Sequence, residues 1–242
     1  YRARRCRPGT LGAYVRDRTA DPFWRGCNVT VPLKAEAAAV AVDPTGVCAR
    51  IGAANALLRS PLGCAVAANT DLHGIAEALD VAEIQGTVCL IGAGGAARAV
   101  LEYVRVRGAG DVRMIARDVG RGRIVHGAGG TSGGVYGFDD GAAALAGAEW
   151  LINATPLGMA GRPPMPKAVL DRLEETMADA LVFDMVYVPA ETALLRRARE
   201  AGRQTVDGIA MLIAQAAPAF ELFFGAPAPR GHDAELRAVL AS

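Results

Sequence analysis

The chain has 242 residues, of which 52% are apolar and only 5% aromatic, so it is long enough for two modest domains whose cores are built from aliphatic side chains. Its 26 basic and 25 acidic residues leave a formal charge of +1, which gives no electrostatic reason to expect a nucleic acid or a membrane surface as a partner. The five cysteines are widely spaced and form no C-x-x-C pair, so we expect no metal site, reduced thiols and a cytoplasmic location. No apolar stretch reaches the length of a membrane span.

The first predicted elements surround a polar segment at residues 28–34, with the sequence Asn-Val-Thr-Val-Pro-Leu-Lys. We predict a strand at 29–31, which ends at Pro32 because proline cannot donate to a sheet ladder, and an alanine-rich helix at 34–42. Polar side chains before a strand end and a lysine after it are typical of the rim of a site. An edge strand running into a helix start explains the segment equally well. Two more short strands are predicted, at 53–59 and 64–68.

From residue 71 onwards the pattern changes to a helix at 71–79 followed by alternating strands and helices. The strands are predicted at 87–91, 112–115, 150–153 and 181–184, and the helices at 96–107, 142–146, 167–173 and 192–201. This alternation indicates a parallel sheet with helices on both faces. Two last helices, at 209–224 and 232–240, are not followed by a strand, so we expect them to pack back onto another part of the molecule.

A glycine-rich turn, Gly92-Ala-Gly-Gly-Ala-Ala97, lies between the predicted strand at 87–91 and the helix that follows. It matches the G-x-G-x-x-A pattern of dinucleotide-binding folds. Gly92 permits the tight turn, Gly94 lets the backbone approach a pyrophosphate, and Ala97 lets the helix pack close to the sheet. The free N–H groups at the helix N-terminus suit phosphates. A tight turn without a ligand is the alternative, and the position between strand and helix favours the cofactor.

The next predicted strand ends in Arg117-Asp118, where the adenosine ribose of a bound dinucleotide is expected. An arginine there favours the 2′-phosphate of NADP, whereas an acidic residue accepts from the ribose 2′-OH of NAD. Arg121 and Arg123 add positive charge nearby, so NADP is the favoured cofactor and NAD stays possible. Solvated charges on a loop are the alternative.

Further polar clusters lie at the ends of predicted elements, where ligands bind in parallel sheets. Asp71 stands at the start of a helix and, taken alone, is more simply explained as a helix N-cap. Met211 and Gln215 are four residues apart and share one helix face. The clusters are Asn55, residues 69–71, 153–159, 184–192 and 208–215.

Together with residues 28–34 and 92–97, these clusters resemble the shikimate dehydrogenase family in their order and spacing over nearly the whole chain. The resemblance implies an α/β fold with two parts. A Rossmann-like, parallel-sheet NADP domain is expected at 71–208. A smaller α/β substrate domain is expected at 1–70, completed by the C-terminal helices at 209–242.

The family's reaction is the reversible, NADP-dependent reduction of 3-dehydroshikimate to shikimate, a step of aromatic amino-acid biosynthesis. By resemblance, Lys34 and Asp71 are the catalytic pair. The residues implied to bind the substrate are Thr30, Asn55, Tyr187 and Gln215. The residues implied to bind the cofactor are Gly92, Ala93, Gly94, Gly95, Ala96, Ala97, Arg117, Thr155, Met185, Gly208 and Met211. Partners are limited to these small molecules, and the protein is expected to be a monomer or a homodimer.

The chemistry suits the residue types. Reduction of a ketone needs a hydride and a proton for the developing alkoxide. Lys34 can supply that proton or stabilise the oxygen, and a carboxylate beside it keeps the lysine charged in a partly closed cleft. A structural salt bridge is the alternative for this pair when it is considered without the surrounding motifs.

Two departures from the family pattern affect the details. The family's Ser-x-Ser turn, which binds the substrate carboxylate, does not occur here, so it either lies upstream of Tyr1 or this member binds its acid differently. Asp118 replaces the small hydroxyl residue that commonly follows the arginine. A quinate/shikimate dehydrogenase that prefers NAD is therefore an alternative, and a dinucleotide-binding homologue without turnover is another.

Overall fold

A computed structural model of the chain describes residues 2–79, 84 and 86–241, and it contains two β-sheets. The smaller sheet is antiparallel, with strands in the order β1-β2-β3. These strands are β1 (Gly26–Asn28), β2 (Ala56–Arg59) and β3 (Ala65–Ala68). Three helices accompany them: α1 (Leu11–Thr19), α2 (Lys34–Ala39) and α3 (Val47–Ile51).

The prediction of a strand at 29–31 was wrong, because the structure places this strand three residues earlier, at Gly26–Asn28. The last pair of the ladder joins Asn28 to Ala56, where β2 begins, and beyond it one backbone hydrogen bond follows, from the Val29 N–H to the Asn55 carbonyl oxygen. The helix at 34–42 ends earlier than predicted, at Ala39, since Val42 leaves it to form a bridge with Val66 of β3.

Two other departures concern this part of the chain. The strand predicted at 53–59 begins only at Ala56. The helices α1 and α3 were not predicted. In α1 the helical spacing is carried by only two buried residues, Leu11 and Val15, among charged ones, which is too weak a pattern to read locally.

The larger sheet has six parallel strands in the order β6-β5-β4-β7-β8-β9. They are β4 (Val88–Ile91), β5 (Val112–Ile115), β6 (Val135–Tyr136), β7 (Trp150–Asn153), β8 (Leu181–Asp184) and β9 (Gln204–Val206). The strand order reverses between β4 and β7. A crevice at the carboxyl ends of the strands on either side of such a reversal is where ligands bind in open parallel sheets.

Helices cover both faces of this sheet, as the alternating pattern predicted. They are α4 (Asp71–Leu79), α5 (Gly95–Val106), α6 (Val119–Ala128), α7 (Gly141–Leu145), α8 (Lys167–Leu170) and α9 (Ala193–Glu200). Every residue of β4, β7 and β8 is buried. Strands buried on both faces are continuously apolar, which is why the sequence located them well.

Strands β6 and β9 and helix α6 were not predicted from the sequence. The two strands are only two and three residues long and lie at the edges of the sheet. Helix α6 contains three glycines, which mask the helical pattern, but burial of Val125 and His126 holds it on the sheet. The helix predicted at 167–173 ends at Leu170 and is followed by a short 3-10 turn, Leu173–Glu175.

The two C-terminal helices, α10 (Gly208–Phe224) and α11 (Asp233–Ala241), pack back onto other parts of the molecule, as expected for helices that no strand follows. Helix α10 lies against α4 at Gly74, where an added side-chain carbon would be 2.9 Å from the Met211 carbonyl oxygen and from Cβ of Gln215. The two helix backbones therefore approach closely because residue 74 has no side chain.

Apolar packing joins the two sheets into one body. Ile51 and Ala53, which follow α2, pack in the same buried cluster as Val88 of β4 and Val100 of α5. Cys89 is fully buried in the cluster on the other face of the larger sheet, and burial raises the pKa of its thiol to about 12. None of the helices formed by the described residues has the length and apolar character needed to cross a bilayer.

Candidate active site

A lysine and a carboxylate that lie far apart in sequence meet between the two sheets. Lys34 is the first residue of α2 and Asp71 the first residue of α4, and Lys34 Nζ lies 2.6 Å from Asp71 Oδ2. The Asp71 side chain is 2% exposed, whereas that of Lys34 is 15% exposed. The ammonium is thus the part of the pair that a bound molecule can reach.

Asn55 holds the second oxygen of the carboxylate. Its Nδ2 donates to Asp71 Oδ1 and to Thr70 Oγ1, each at 2.9 Å, and its Oδ1 accepts from the Thr70 backbone N–H at 2.8 Å. Asn55 and Asp71 are both buried, so these bonds are made away from bulk water. The arrangement leaves one carboxylate oxygen for the lysine and gives the other a neutral donor.

Backbone hydrogen bonds fix the position of Lys34 and Asn55. The Lys34 carbonyl oxygen accepts from the Ala54 N–H at 2.8 Å, and the Asn55 carbonyl oxygen accepts from the Val29 N–H at 2.7 Å. The residues just before β2 therefore hold the polar segment that follows β1.

Asp71 does not cap the helix that it begins. The N–H of Leu72 donates instead to Asn69 Oδ1 at 3.3 Å, and Asn69 Nδ2 is anchored to the Ala53 carbonyl oxygen at 2.9 Å. The interpretation of Asp71 as an N-cap was thus wrong, because Asn69 takes that place and leaves the carboxylate directed at Lys34.

The glycine turn lies directly beside the lysine. A side-chain carbon placed on Gly95 would be 3.2 Å from Cβ of Lys34 and 3.3 Å from its Cδ. Gly92 has φ +119°, in the region that favours glycine, and its missing side chain makes room for Thr155. The space above Gly94 is open, and no side chain caps the start of α5. Free N–H groups beside open space fit the pyrophosphate of a dinucleotide.

The carboxyl ends of β7 and β8 carry a second buried polar pair. Asn153 and Asp184 are both fully buried, and Asn153 Nδ2 donates to Asp184 Oδ1 at 2.8 Å. Burial raises the pKa of the Asp184 carboxyl, and hydrogen bonds from Thr192, Val186 and Asn153 oppose the rise. The polar motifs singled out in the sequence contained both residues, but neither was given a role there.

The start of α10 faces the ends of these strands. A side-chain carbon on Gly208 would lie 2.5 Å from the Val186 carbonyl oxygen and 2.6 Å from that of Met185, so the residue must be glycine for this approach. Further along the helix, Met211 and Gln215 both lie against Gly74 of α4, as their spacing predicted. Gly208 thus lies against the Met185 backbone, and Met211 belongs to the buried cluster against which Met185 packs.

The positive group expected near an adenosine lies at the end of β5. Arg117 and Arg121 are exposed there. Asp118 caps α6, since its Oδ1 accepts from the Arg121 N–H at 3.0 Å. One oxygen of its carboxylate is therefore engaged at the helix start, where the helix dipole favours negative charge.

The remaining substrate candidates lie nearer to solvent. Thr30 is exposed in the turn that follows β1, and Tyr187 is 39% exposed just beyond β8. Neither hydroxyl takes part in the hydrogen bonds that organise Lys34, Asp71 and Asn55. No group of three or more His, Cys, Asp or Glu side chains suited to a metal ion occurs in the part of the chain that the structure describes.

Comparison with known proteins gives consistent results. Residues 208–235 match the family model described as the shikimate 5′-dehydrogenase C-terminal domain. Over 241 residues the chain is 44% identical to a protein of Sphingopyxis alaskensis named shikimate dehydrogenase (NADP(+)), covering 99% of this chain and 85% of the relative.

Two solved structures cover almost the whole chain at similar identity. One is the shikimate 5-dehydrogenase of Thermus thermophilus in complex with NADP(H) and shikimate, with 28% identity, a TM-score of 0.77 and coverage of 97% of this chain and 85% of that one. The other is the quinate dehydrogenase of Corynebacterium glutamicum in complex with NAD, with 28% identity, a TM-score of 0.79 and coverage of 98% and 84%.

Proposed function

Because this chain belongs to the shikimate dehydrogenase family, we propose that it catalyses the reversible reduction of 3-dehydroshikimate to shikimate with NADPH. The reaction is an oxidoreduction at a secondary alcohol, within the biosynthesis of aromatic amino acids. The observation that supports it most directly is the 2.6 Å contact between Lys34 and Asp71 at a point where the glycine turn touches the lysine.

Lys34 and Asp71 are the proposed catalytic residues. In the direction of reduction, the Lys34 ammonium donates a proton to the carbonyl oxygen of the substrate as negative charge develops there. The Asp71 carboxylate accepts a hydrogen bond from this ammonium and so orients it. In the reverse direction the neutral lysine accepts the proton of the alcohol.

The cofactor, NADP, supplies the hydride and is proposed to bind along the glycine turn. In this proposal the residues from Gly92 to Ala97 hold its phosphates with backbone N–H groups, and Arg117 binds the 2′-phosphate. Thr155, Met185, Gly208 and Met211 line the nicotinamide pocket. The open space at Gly94 and the uncapped start of α5 support this assignment.

Four residues are proposed to bind the substrate: Thr30, Asn55, Tyr187 and Gln215. Asn55 combines this role with its hydrogen bond to Asp71, so it links the substrate to the catalytic pair. Gln215 reaches the site from α10, beside Gly74. The domain boundaries that follow are 1–70 with 209–242 for substrate binding and 71–208 for the cofactor.

Asp118 favours a second candidate, a quinate/shikimate dehydrogenase that prefers NAD, because an acidic residue at this place can accept from a ribose 2′-OH. The hydrogen bond from the Arg121 N–H to Asp118 argues for NADP, since it engages the carboxylate as a helix cap while Arg117 and Arg121 stay exposed. The five cysteines are all free thiols, which supports a reducing, cytoplasmic location. We propose a monomer or a homodimer.

The test is a set of initial-rate measurements with shikimate or quinate, each with NADP+ or NAD+. The proposal expects the highest kcat/KM for shikimate with NADP+. A strong preference for quinate with NAD+ would replace it with the second candidate. Binding of NADPH without turnover of either acid would show a homologue that binds the dinucleotide and is not an enzyme.

A further inference from the structure

We propose that Asp184, a buried carboxylate outside the catalytic pair, is the positioning residue that fixes the loops facing the nicotinamide relative to one another. The inference rests on the proposed function, because it assigns those loops to the nicotinamide. It concerns a group at the end of β8 whose hydrogen bonds reach three separate segments of the chain.

Asp184 has a complete set of neutral donors around it. Its Oδ1 accepts from Asn153 Nδ2 at 2.8 Å and from the Val186 N–H at 3.1 Å, and its Oδ2 accepts from Thr192 Oγ1 at 2.6 Å. The residue is fully buried. A buried carboxylate is tolerated only when such donors are held in place, so the donors and the segments that carry them are fixed to one another.

On one side, the network reaches the glycine turn. The Asn153 amide that donates to Asp184 turns its Oδ1 towards Thr155, which donates to it from both its N–H, at 3.0 Å, and its Oγ1, at 2.6 Å. The Thr155 methyl group in turn lies against Gly92, where an added carbon would be only 2.8 Å from it. Asp184 therefore sets the orientation of Asn153 and, through it, the position of Thr155.

On the other side, the network reaches the return helix. The Val186 N–H is held by Asp184, and the Val186 carbonyl oxygen lies against Gly208 at the start of α10. Thr192, the third partner, caps α9 by accepting from the Leu195 N–H at 3.2 Å. One carboxylate thus ties the loop after β7 to the loop after β8 and the start of α9.

The partners of Asp184 in the described part of the chain are neutral. Burial raises the pKa of its carboxyl, and these three hydrogen-bond partners oppose the rise. Glu191, which precedes Thr192, is exposed and forms ion pairs with Arg196 and Arg199. A second carboxylate introduced beside Asp184 would therefore add a negative charge next to a carboxylate whose hydrogen-bond partners are neutral.

The substitution Asn153→Asp is the direct test. It replaces the amide nitrogen by an oxygen next to Asp184 Oδ1, and two carboxylates at that distance can stay together only by sharing a proton. At pH 8 we expect kcat with shikimate and NADP+ to fall about tenfold or more, since hydrogen bonds to a charged group are lost. The KM for NADP+ should change little, because the phosphates bind elsewhere. At pH 6 the kcat should return towards the wild-type value at the same pH.

Thr192 offers a matched pair of control variants. Thr192→Ser keeps the hydroxyl that donates to Asp184 and is expected to behave as the wild type. Thr192→Val has nearly the same shape but lacks the donor, and it should lower kcat without a comparable change in the KM for NADP+. Thermal unfolding of each variant shows that the compared proteins are folded.

A second readout does not depend on turnover. The fluorescence of the reduced nicotinamide of NADPH is measured on binding, without substrate, for the wild type and the variants at pH 8 and pH 6. A fluorescence change that is lost in Asn153→Asp at pH 8 and regained at pH 6 supports the proposal even if the wild type proves inactive towards shikimate. Loss that is independent of pH, or equal behaviour of the two Thr192 variants, overturns it.

Discussion

At the scale of single residues, the site depends on how one carboxylate is surrounded. Asp71 is almost fully buried, with Lys34 on one oxygen and Asn55 on the other. A buried ion pair is weak evidence for a stabilising role, since the cost of removing two charges from water offsets their attraction. Its position beside Gly95 of the glycine turn is better explained by chemistry than by stability.

The first prediction concerns Lys34. Lys34→Met removes the proton donor while keeping the length of the stem, and we expect kcat to fall about 10²- to 10⁴-fold, the usual contribution of a positioned acid. NADPH binding, measured by fluorescence titration, should change less than about threefold because the phosphate contacts are intact.

Lys167, the other lysine of the sequence, provides the control. It is exposed at the start of α8, so Lys167→Met should leave kcat and NADPH binding unchanged. A Lys34→Met protein that is folded and retains a kcat within a factor of ten of the wild type would contradict the proposed acid.

At the scale of secondary structure, the contact between α4 and α10 decides where two of the proposed site residues lie. Asp71 begins α4 and Gln215 is carried by α10, and the helices meet at Gly74 without an intervening side chain. Close approach of two helices through glycine transmits any change in their separation directly to the residues that they carry.

The second prediction is therefore Gly74→Ala. The new carbon would lie 2.9 Å from the Met211 carbonyl oxygen and from Cβ of Gln215, so the helices must separate. We expect destabilisation of about 1–3 kcal/mol, typical of overpacking, and a higher KM for shikimate because Gln215 moves. Thermal unfolding and initial rates measure the two effects.

Gly127 is the matched control for this change. It lies within helix α6, and a side-chain carbon on it would meet nothing within 4 Å. Gly127→Ala should be neutral or stabilise the protein by about 0.5–1 kcal/mol, the ordinary gain of alanine over glycine in a helix. If Gly74→Ala behaved in the same way, the close contact would not constrain the site.

At the scale of the whole molecule, two ion pairs connect α11 and the residues just before it to helices α4 and α10. Arg230, just before α11, pairs with Glu77 of α4, and Arg237 of α11 pairs with Asp207, which caps α10. Burial raises the pKa of Asp207, but the Arg237 guanidinium and the Ala210 and Ile209 N–H groups outweigh it and hold the pKa below its usual value.

The third prediction follows from the sign of that shift. A carboxyl whose folded-state pKa is lowered contributes stability above its unfolded value, about 4, and loses it as the pH falls through the folded-state value. Arg237→Met should therefore lower the Tm at pH 7, and the difference from the wild type should shrink below about pH 4.

An exposed arginine far from this pair serves as the reference. Arg162 lies in the loop between β7 and α8, and Arg162→Met should not change the Tm at either pH. A Tm difference for Arg237→Met that stayed constant from pH 7 to pH 3 would show that the ion pair is not its cause.

Much of this architecture could be predicted from local patterns. The helix at Asp71–Leu79 and the strands at Val112–Ile115, Trp150–Asn153 and Leu181–Asp184 have the predicted bounds. The glycine turn also lies between a strand and a helix as expected. These features are carried by runs of neighbouring residues, whose apolar periodicity and small side chains are visible without any tertiary contact.

Other features depended on segments that are distant in the chain. The start of β1 follows from the register with β2, and β6 and β9 form because a sheet edge was available to them. Asp71 faces Lys34, 37 residues away, because Asn69 rather than Asp71 caps the helix. The burial of a residue and its hydrogen-bond partners depend on which segments pack together, so local sequence patterns do not contain this information.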